Sequence, residues 1–392
     1  MERTAERLRA LPKYLFAEID KKVQEAQNKG IDVIKLGIGD PDSPTPQYII
    51  ESMQREVAKA QNHGYPPDEG APEFREAVAD YYLRRFGVEL DTQKEITPLI
   101  GSKEGIAHIS FCFVDPGDYN LVPDPGYPVY SIGTLFAGGH SHLMPLWKEN
   151  GFLPDFYNIP VEAARRAKLM FLNYPNNPTG AVATREFFKQ AVEFAREYNL
   201  IICHDAAYNE IAFDDHRPFS ILEIEGAKDV AVEFGSLSKT FNMTGWRVGY
   251  AVGNSLAVEA LYRFKTNIDS GLFKAAQYAA VEALNNEKMD SVVEEMRDIY
   301  KRRRDVVINS LNEAGWSLEP PKGTFYVWVP VPEGYSSQDF ITRILEETGV
   351  VLTPGRGFGK YGEGFFRIAL TVDEKRLQEA MDRIKKVIDK LR

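Results

Sequence analysis

A lysine, Lys239, follows two serines and precedes a threonine in the stretch Ser236-Leu-Ser-Lys-Thr, and Arg247 comes eight residues after it. The run before it, residues 229–235, has the apolar pattern of a strand, so the lysine lies where that strand ends. A lysine amine can bond covalently to an aldehyde, while hydroxyls and an arginine can bind an anion. A solvated lysine in a polar turn fits the same residues, so the rest of the chain must separate the two interpretations.

Three other polar clusters also follow predicted strands. Ser102 and Lys103 open a helix, where backbone N–H groups and the helix dipole favour an anion. Asn177 lies in the turn-like stretch Asn-Asn-Pro-Thr-Gly, and Asp205 ends a strand with Tyr208 one helical turn further on. A plain helix start, an ordinary turn and a helix-capping aspartate are the alternative explanations.

Short apolar runs recur along the chain with helix-like segments between them, such as 185–198, whose apolar residues recur at helical spacing. The continuous apolarity predicts strands covered on both faces, and the alternation predicts a doubly wound α/β fold with a mostly parallel sheet. In such folds ligands bind beyond the carboxyl ends of the strands, where the polar clusters lie. The predicted strands are 96–100, 119–123, 168–173, 200–205, 230–236 and 247–253.

The alternation of short apolar runs and helix-like segments changes after about residue 275. A long charged helix ends at Gly315, strand-like runs follow at 324–331 and 365–370, and an amphipathic helix closes the chain. We expect a second, smaller α+β domain here. The predicted division is 1–45 as an amino-terminal arm and part of the small domain, 46–285 as the large domain and 286–392 as the small domain.

Composition excludes several classes of function. The 392 residues carry 47 basic and 57 acidic side chains, a formal net charge of −10, which argues against a nucleic-acid surface and a polybasic membrane patch. No apolar stretch approaches the roughly 20 residues of a membrane helix, and the amino terminus lacks an apolar signal core, so we expect a cytoplasmic protein. Buried inert thiols are expected at Cys112 and Cys203, and structural histidines rather than a metal site at His140, His142 and His204.

Taken together, the strand-end clusters supply an anion cradle, a carboxylate, a phenol, an amide, an amine and an arginine. Pyridoxal 5′-phosphate needs this set, because its phosphate binds helix-terminal N–H groups, hydroxyls and a cation, and its ring nitrogen stays protonated beside a buried carboxylate. Its aldehyde bonds to a lysine amine. The sequence therefore predicts pyridoxal phosphate as the cofactor, with Lys239 as its covalent anchor.

The motifs Asn177-Pro-Thr-Gly, Asp205-Ala-Ala-Tyr and Ser238-Lys-Thr with Arg247 resemble those of the class I and II pyridoxal-phosphate-dependent aminotransferases. The resemblance runs from about residue 10 to the carboxyl terminus. It implies the fold type I architecture and ping-pong transfer of an amino group between an amino acid and a 2-oxo acid. Five segments favour the branch of the family that acts on LL-2,6-diaminopimelate and 2-oxoglutarate in lysine biosynthesis: LPKYLFAEI, LGIGDPD, GSKEGIAHI, DPGYPVY and FNMTGWR.

The resemblance also implies a role for each matching residue. Lys239 corresponds to the lysine that anchors the cofactor and serves as general base, and Asp205 to the partner of the ring nitrogen. Tyr208 and Asn177 correspond to donors to the phenolic oxygen, and Tyr127 to the residue stacked on the ring. The residues implied at the phosphate are Ser102, Lys103, Ser236, Ser238 and Arg247.

Substrate binding and assembly follow from the same resemblance. Arg367 matches the arginine that grips the substrate carboxylate in bidentate geometry, although a surface arginine on an edge strand is the alternative. Family members are homodimers with shared active sites, in which Tyr65 reaches the phosphate of the neighbouring subunit. Asp68 is placed either to meet a distal ammonium group or to cap the next helix. The substrate-side residues implied are Tyr14, Gly39, Lys103, Tyr127, Asn177, Asn267 and Arg367.

Other functions remain open at this point. The substrate could instead be alanine, aspartate or an aromatic amino acid, and a C–S lyase uses nearly the same residues. A cofactor-sensing regulator needs an added DNA-binding module, for which 392 residues leave no room. The glycine-rich stretch 355–362 resembles a phosphate loop but lacks the spacing of one.

Overall fold

The computed structural model describes residues 3–11, 15–28, 30–217 and 219–390, with the backbone alone for 15–20. The helices are α1 Glu6–Arg9, α2 Leu15–Asn28, α3 Gln47–Val57, α4 Pro72–Phe86, α5 Ser102–Phe113, α6 Val129–Phe136, α7 Val161–Arg166, α8 Arg185–Tyr198, α9 Leu237–Thr240, α10 Ser255–Lys265, α11 Lys274–Asn285, α12 Met289–Glu313, α13 Ser337–Thr348 and α14 Glu374–Ile388. The strands are β1 Ile34–Lys35, β2 Ile96–Ile100, β3 Tyr119–Asp124, β4 His140–Pro145, β5 Ala167–Asn173, β6 Ile201–Asp205, β7 Ala231–Ser236, β8 Val248–Gly253, β9 Tyr326–Pro330, β10 Val350–Val351, β11 Thr353–Pro354 and β12 Phe365–Ala369.

A large central sheet has the strand order β2-β8-β7-β6-β5-β3-β4. Strand β8 runs antiparallel to both of its neighbours, whereas the other paired strands are parallel. The carboxyl ends of β2, β3, β5, β6 and β7 therefore share one edge with the amino end of β8. This arrangement confirms the predicted α/β fold with a mostly parallel sheet.

Helices cover both faces of this sheet, which explains why its strands read as continuous apolar runs. Alternate residues of one strand enter different cores, because side chains in a strand point to opposite faces. Leu169 and Phe171 of β5 pack in one core, while Met170 and Leu172 pack in the other. The first core includes residues of α5, α6 and α10, and the second includes residues of α4, α8 and α11.

Helix α8 shows how local sequence sets an element's bounds. The Thr184 side chain accepts a hydrogen bond from the Phe187 N–H at the start, and Asn199 adopts the left-handed conformation at the end, with φ 55°. Its buried face carries Phe187, Phe188 and Ala191. The helix spans Arg185–Tyr198, which confirms the predicted range.

The residues that follow the long helix α12 form a second, smaller sheet. This antiparallel sheet has the order β11-β12-β9. The amino-terminal segment meets it, since β1 pairs with β10 and the Ala369 N–H donates to the Leu36 carbonyl at 2.8 Å. The domain limits at residues 45 and 285 stay a prediction. Within the part of the chain described, no helix is long and apolar enough to cross a membrane.

Candidate active site

The polar clusters singled out in the sequence meet at the shared edge of the central sheet. This follows from topology, because Ser102 follows β2, Tyr127 follows β3, Asp205 ends β6 and Lys239 lies in α9 directly after β7. Arg247 reaches the same edge because it precedes the antiparallel strand β8. Side chains far apart in sequence are thereby brought to one surface.

Lys239 is half-buried and presents its amine towards the amino-terminal segment. Its Nζ donates a hydrogen bond to the Gly39 carbonyl at 2.7 Å and lies 5.6 Å from the centre of the Phe325 ring. Burial lowers the pKa of Lys239 from 10.5 to about 8; the charge of Asp40 opposes this, and those of Arg367 and Arg247 add to it. The amine therefore exchanges its proton near neutral pH, as a nucleophile or general base must.

Asp205 is a buried carboxylate with one oxygen left over. Tyr130 donates its hydroxyl hydrogen to Oδ2 at 2.9 Å, whereas Oδ1 has no hydrogen-bond partner among the described residues. Burial raises the pKa of Asp205, and the hydrogen bond from Tyr130, the nearby His204 and the backbone N–H of Ala207 act in the opposite direction. A buried acceptor of this kind is suited to a cationic N–H donor. A turn rather than a helix follows β6, so Asp205 has no helix to cap.

A turn after β5 links the backbone of Asp205 to the substrate side of the site. Asn173 donates to the Asp205 carbonyl at 2.7 Å, and its Oδ1 accepts the N–H of Asn177 at 2.8 Å. The Asn177 Oδ1 accepts a hydrogen bond from Arg367 Nη1 at 2.7 Å. This contact fixes the orientation of the Asn177 amide and directs its Nδ2 hydrogens away from the guanidinium.

Arg367 is buried in the central strand of the small sheet, so the alternative of a surface arginine on an edge strand is wrong. Its Nη2 donates to the Gly37 carbonyl at 2.7 Å, and its guanidinium carbon lies 4.1 Å from the Tyr326 ring centre and 4.6 Å from that of Phe358. Burial lowers the pKa of Arg367, although arginine stays charged in proteins. Its Nε has no partner among the described residues, which leaves donor capacity for a carboxylate.

The predicted anion cradle lies at the start of α5. Gly101 precedes the helix with φ 76°, and a Cβ built there would lie 2.1 Å from Arg247 Nη2. A Cβ on Gly249 would lie 2.5 Å from the backbone nitrogen of Ser102. Two glycines thus let the guanidinium approach the first N–H groups of the helix, an arrangement that favours a phosphate. Lys103 Nζ lies 5.7 Å from the centre of the Tyr127 ring.

The hydroxyls around Lys239 and the phenol of Tyr208 complete the site. Ser236 caps the short helix by accepting the Ser238 N–H at 3.2 Å, and Ser238 is buried. Tyr208 is buried, with its hydroxyl 3.2 Å from that of Tyr326. A side chain on Gly39 would collide with Tyr326, because its Cβ would lie 1.8 Å from the tyrosine oxygen.

Within a single chain, some of the residues predicted for the site do not join this cluster. Tyr65 is 84% exposed, and Asn267 is exposed with its Nδ2 donating to the Arg263 carbonyl at 2.8 Å. Within the described ranges, no hydrogen bond or ring contact joins either residue to the others. Tyr14 lies outside the described residues. Asp68 is exposed and does not cap α4, whose N-cap is Ala71 without a side-chain bond, so the capping alternative is wrong.

The histidine beside Asp205 lies on the opposite face of the sheet. His204 is buried, with Nδ1 2.8 Å from Glu233 Oε2 and Nε2 3.1 Å from the Tyr174 carbonyl. No group of three or more candidate metal ligands occurs among the residues that the structure describes. Both cysteines are free, and burial raises the pKa of Cys112 to about 12 and that of Cys203 above its ordinary value.

Several site residues were missed in the sequence. Tyr130 follows Tyr127 by three residues at the start of α6, a spacing that in hindsight puts both near the ring-binding region. Asn173, Tyr326 and Phe358 carried no signal of their own. They gain their roles only when β5, β9 and the loop before β12 are packed together.

The donors and acceptors present fit pyridoxal phosphate. The Asp205 oxygen that has no partner in the described part of the chain matches the protonated ring nitrogen, the glycine-lined cradle beside Arg247 matches the phosphate, and the amine of Lys239 matches the aldehyde. The fold and these features define a pyridoxal-phosphate-dependent transferase of fold type I.

Comparison with known proteins gives the family. The model of the aminotransferase class I and II family matches residues 31–384. The chain is 58% identical over 387 residues, 99% of each chain, to the LL-diaminopimelate aminotransferase of Moorella thermoacetica. It is 58% identical over 381 residues, 97% of each chain, to that of Desulforudis audaxviator.

Solved structures agree with this assignment. Substrate-bound BacF from Bacillus subtilis superposes with a TM-score of 0.94 at 41% identity, covering 99% of this chain and 98% of that one. A single mutant of Thermus thermophilus aspartate aminotransferase gives a TM-score of 0.92 at 29% identity, covering 99% and 100%. The chain belongs to the class I and II aminotransferases, which are pyridoxal-phosphate-dependent enzymes acting on amino acids and 2-oxo acids.

Proposed function

We propose that this aminotransferase moves an amino group between LL-2,6-diaminopimelate and 2-oxoglutarate. In lysine biosynthesis the reaction forms diaminopimelate from tetrahydrodipicolinate, with glutamate as donor. The observation that carries the proposal is the 58% identity to an LL-diaminopimelate aminotransferase across 99% of both chains. We also propose a cytoplasmic homodimer with shared active sites, in which Tyr65, Tyr14 and Asn267 complete the site.

Each part of the cofactor has candidate ligands in this chain. Asp205 would hold the ring nitrogen, Tyr208 and Asn177 the phenolic oxygen, Tyr127 the face of the ring and Lys239 the aldehyde carbon. When bound, pyridoxal phosphate supplies an electron sink that makes the Cα–H bond of an amino acid acidic. The ligands proposed for the phosphate are Ser102, Lys103, Ser236, Ser238 and Arg247, with Tyr65 from the partner subunit.

The chain's own residues then have distinct tasks. Arg367 binds and orients the substrate carboxylate, and its contacts with the rings of Tyr326 and Phe358 restrict the orientation of its guanidinium. Lys239 Nζ takes the proton from the substrate Cα, for which it must first be neutral. Asp205 keeps an N–H donor at its free oxygen charged. In this structure the Lys239 amine donates to the Gly39 carbonyl, so this contact must break before the amine can act.

The substrate assignment predicts a clear preference among amino donors. Purified enzyme with LL-diaminopimelate and 2-oxoglutarate should form glutamate at a kcat/KM at least about tenfold above that with alanine, aspartate or phenylalanine, a difference of about 1.4 kcal/mol. A coupled glutamate assay measures it. A preference for one of the other donors would overturn the substrate but not the reaction class. Release of ammonia and pyruvate from cystathionine without any 2-oxo acid would favour a C–S lyase.

The lowered pKa of Lys239 predicts how cofactor attachment depends on pH. Only the neutral amine attacks an aldehyde, so in cofactor-free protein the attachment rate should rise up to pH 8 and level off above it, because the pKa is about 8. An ordinary lysine, with a pKa of about 10.4, would give a rate still rising at pH 9.5. Stopped-flow absorbance after mixing with pyridoxal phosphate measures the rate, with Nα-acetyllysine as control. A protein curve that parallels the control would contradict the prediction.

A further inference from the structure

The glycine-rich loop 355–362 is tied to the large sheet by the last residue of β3. Asp124 is buried, and its Oδ2 accepts the backbone N–H of Lys360 at 3.1 Å while its Oδ1 accepts that of Tyr361 at 3.0 Å. Two residues further on, the Gly126 N–H donates to the Phe358 carbonyl at 2.8 Å. Three hydrogen bonds therefore join the end of β3 to a loop that belongs to the small sheet.

The glycines of the loop make this close approach possible. Gly359 has φ +135°, and a Cβ built on it would lie 2.1 Å from Asp124 Oδ1. Beside it, the ring of Trp147, which follows β4, packs edge-on against Tyr361 with centroids 4.9 Å apart. The sequence pattern that resembled a phosphate loop thus serves to admit a carboxylate of the protein itself.

The loop carries one wall of the proposed carboxylate-binding site. Phe358 is buried, and its ring centre lies 4.6 Å from the guanidinium carbon of Arg367, which also contacts the Tyr326 ring at 4.1 Å. Its carbonyl is the atom held by Gly126. Movement of the loop away from β3 would therefore move the ring that covers Arg367.

Burial of the Asp124 carboxylate costs free energy of folding. Burial raises the pKa of this carboxyl, and the N–H groups of Tyr361 and Lys360 with the Lys360 charge offset that only in part. Asparagine, a neutral residue of similar size, would avoid this cost, but its single amide oxygen could not replace both carboxylate oxygens as acceptors. Its presence next to the loop suggests a task besides packing.

We propose that Asp124 is a positioning residue for substrate binding, which ties the loop 355–362 to β3 and so holds Phe358 against Arg367. Asp124 touches neither substrate nor cofactor and acts through Phe358. The proposal rests on the role of Arg367 under the proposed function. It predicts a defect in the binding of carboxylate substrates, with the cofactor attached as before.

The test is the binding of glutarate, a dicarboxylate that does not react, to the pyridoxal-phosphate-loaded enzyme by calorimetry. Asp124→Asn should raise the dissociation constant about tenfold, raise the KM for 2-oxoglutarate similarly and change kcat less. Asp373→Asn is the matched control, since Asp373 lies outside this loop and its Oδ1 accepts the backbone N–H groups of Lys375 and Arg376 at 3.0 and 3.1 Å at the start of α14. This control should leave glutarate binding unchanged.

A double-mutant cycle separates positioning from general destabilisation. Phe358→Leu alone should weaken glutarate binding, and adding Asp124→Asn should weaken it no further, because both changes act on one contact. Gly359→Ala disturbs the loop with Asp124 intact and should reproduce the defect if Asp124→Asn fails to fold. Additive effects, a lower melting temperature with unchanged glutarate binding, or an equal defect in Asp373→Asn would overturn the proposal.

The variant Arg367→Lys shows whether a negative result disproves only this proposal or also the role of Arg367 under the proposed function. If wild-type enzyme binds no glutarate, or Arg367→Lys binds it equally well, Arg367 is not the carboxylate site. The role of Arg367 under the proposed function and the positioning role of Asp124 are then both wrong. If Arg367→Lys binds glutarate weakly while Asp124→Asn and Gly359→Ala bind it normally, only the positioning role of Asp124 is wrong.

Discussion

Replacing Lys239 with alanine is expected to lower kcat for transamination by at least about 10⁴-fold, because the variant loses both the covalent anchor and the general base. The protein should still bind pyridoxal phosphate noncovalently, since the groups proposed for Asp205, Tyr127 and the phosphate remain. Absorbance spectroscopy should show the cofactor as the free aldehyde rather than bonded to lysine. Glutamate formation measures the loss of turnover.

Lys103→Ala is the control for this experiment, since Lys103 is the other lysine placed at the site, 5.7 Å from the Tyr127 ring centre. It should keep the absorbance of the lysine-bound cofactor. If Lys239→Ala transaminated at the wild-type rate, or if Lys103→Ala lost the covalent bond instead, the site would be misplaced.

Replacing Asp205 with alanine is expected to keep the covalent bond to Lys239 while lowering kcat by roughly 10²- to 10³-fold. The variant lacks the carboxylate that keeps the ring nitrogen charged, and a neutral ring is a weaker electron sink. Steady-state kinetics with borohydride-reducible cofactor as the measure of occupancy separates this from loss of the cofactor. Wild-type turnover at full occupancy would contradict the role of Asp205.

Tyr130→Phe tests whether the charge or the packing at Asp205 matters. It removes the hydroxyl that donates to Oδ2 at 2.9 Å and leaves the carboxylate in place. One lost hydrogen bond to a charged group is worth about 1.5–3 kcal/mol, or roughly 10- to 150-fold in rate, so a loss no greater than the lower end of that for Asp205→Ala is expected. An equal loss of activity would point to the packing of the strand end.

Much of the site was predictable because parallel strands place their carboxyl ends at one edge. Polar residues after apolar runs, such as Asp205 and Lys239, therefore identify an edge before the fold is known. The six strands predicted for the central sheet lie within a residue of observed ones; β6, for example, spans Ile201–Asp205. Strand β4, His140–Pro145, was not among them. The antiparallel direction of β8 carried no local signal, because it depends on how the chain returns after α9.

Contacts between parts of the chain that are distant in sequence could not be predicted from local sequence patterns. Asp124 binds the backbone N–H groups of Lys360 and Tyr361, and Gly126 binds the Phe358 carbonyl, more than 200 residues further along the chain. Tyr326 gains its place beside Arg367 from the register of β9 against β12, in which Tyr326 pairs with Ala369. Neither apolarity nor residue spacing encodes such register. The roles of these residues therefore follow only from the packing of the folded chain.

The most direct test is to reduce the loaded enzyme with borohydride, digest it and map the modified peptide by mass spectrometry. The covalent role of Lys239 predicts a pyridoxyl group on the peptide that contains Ser236-Leu-Ser-Lys239, with the label absent from Lys239→Ala. A label on another lysine, or a protein that takes up no pyridoxal phosphate, would contradict it.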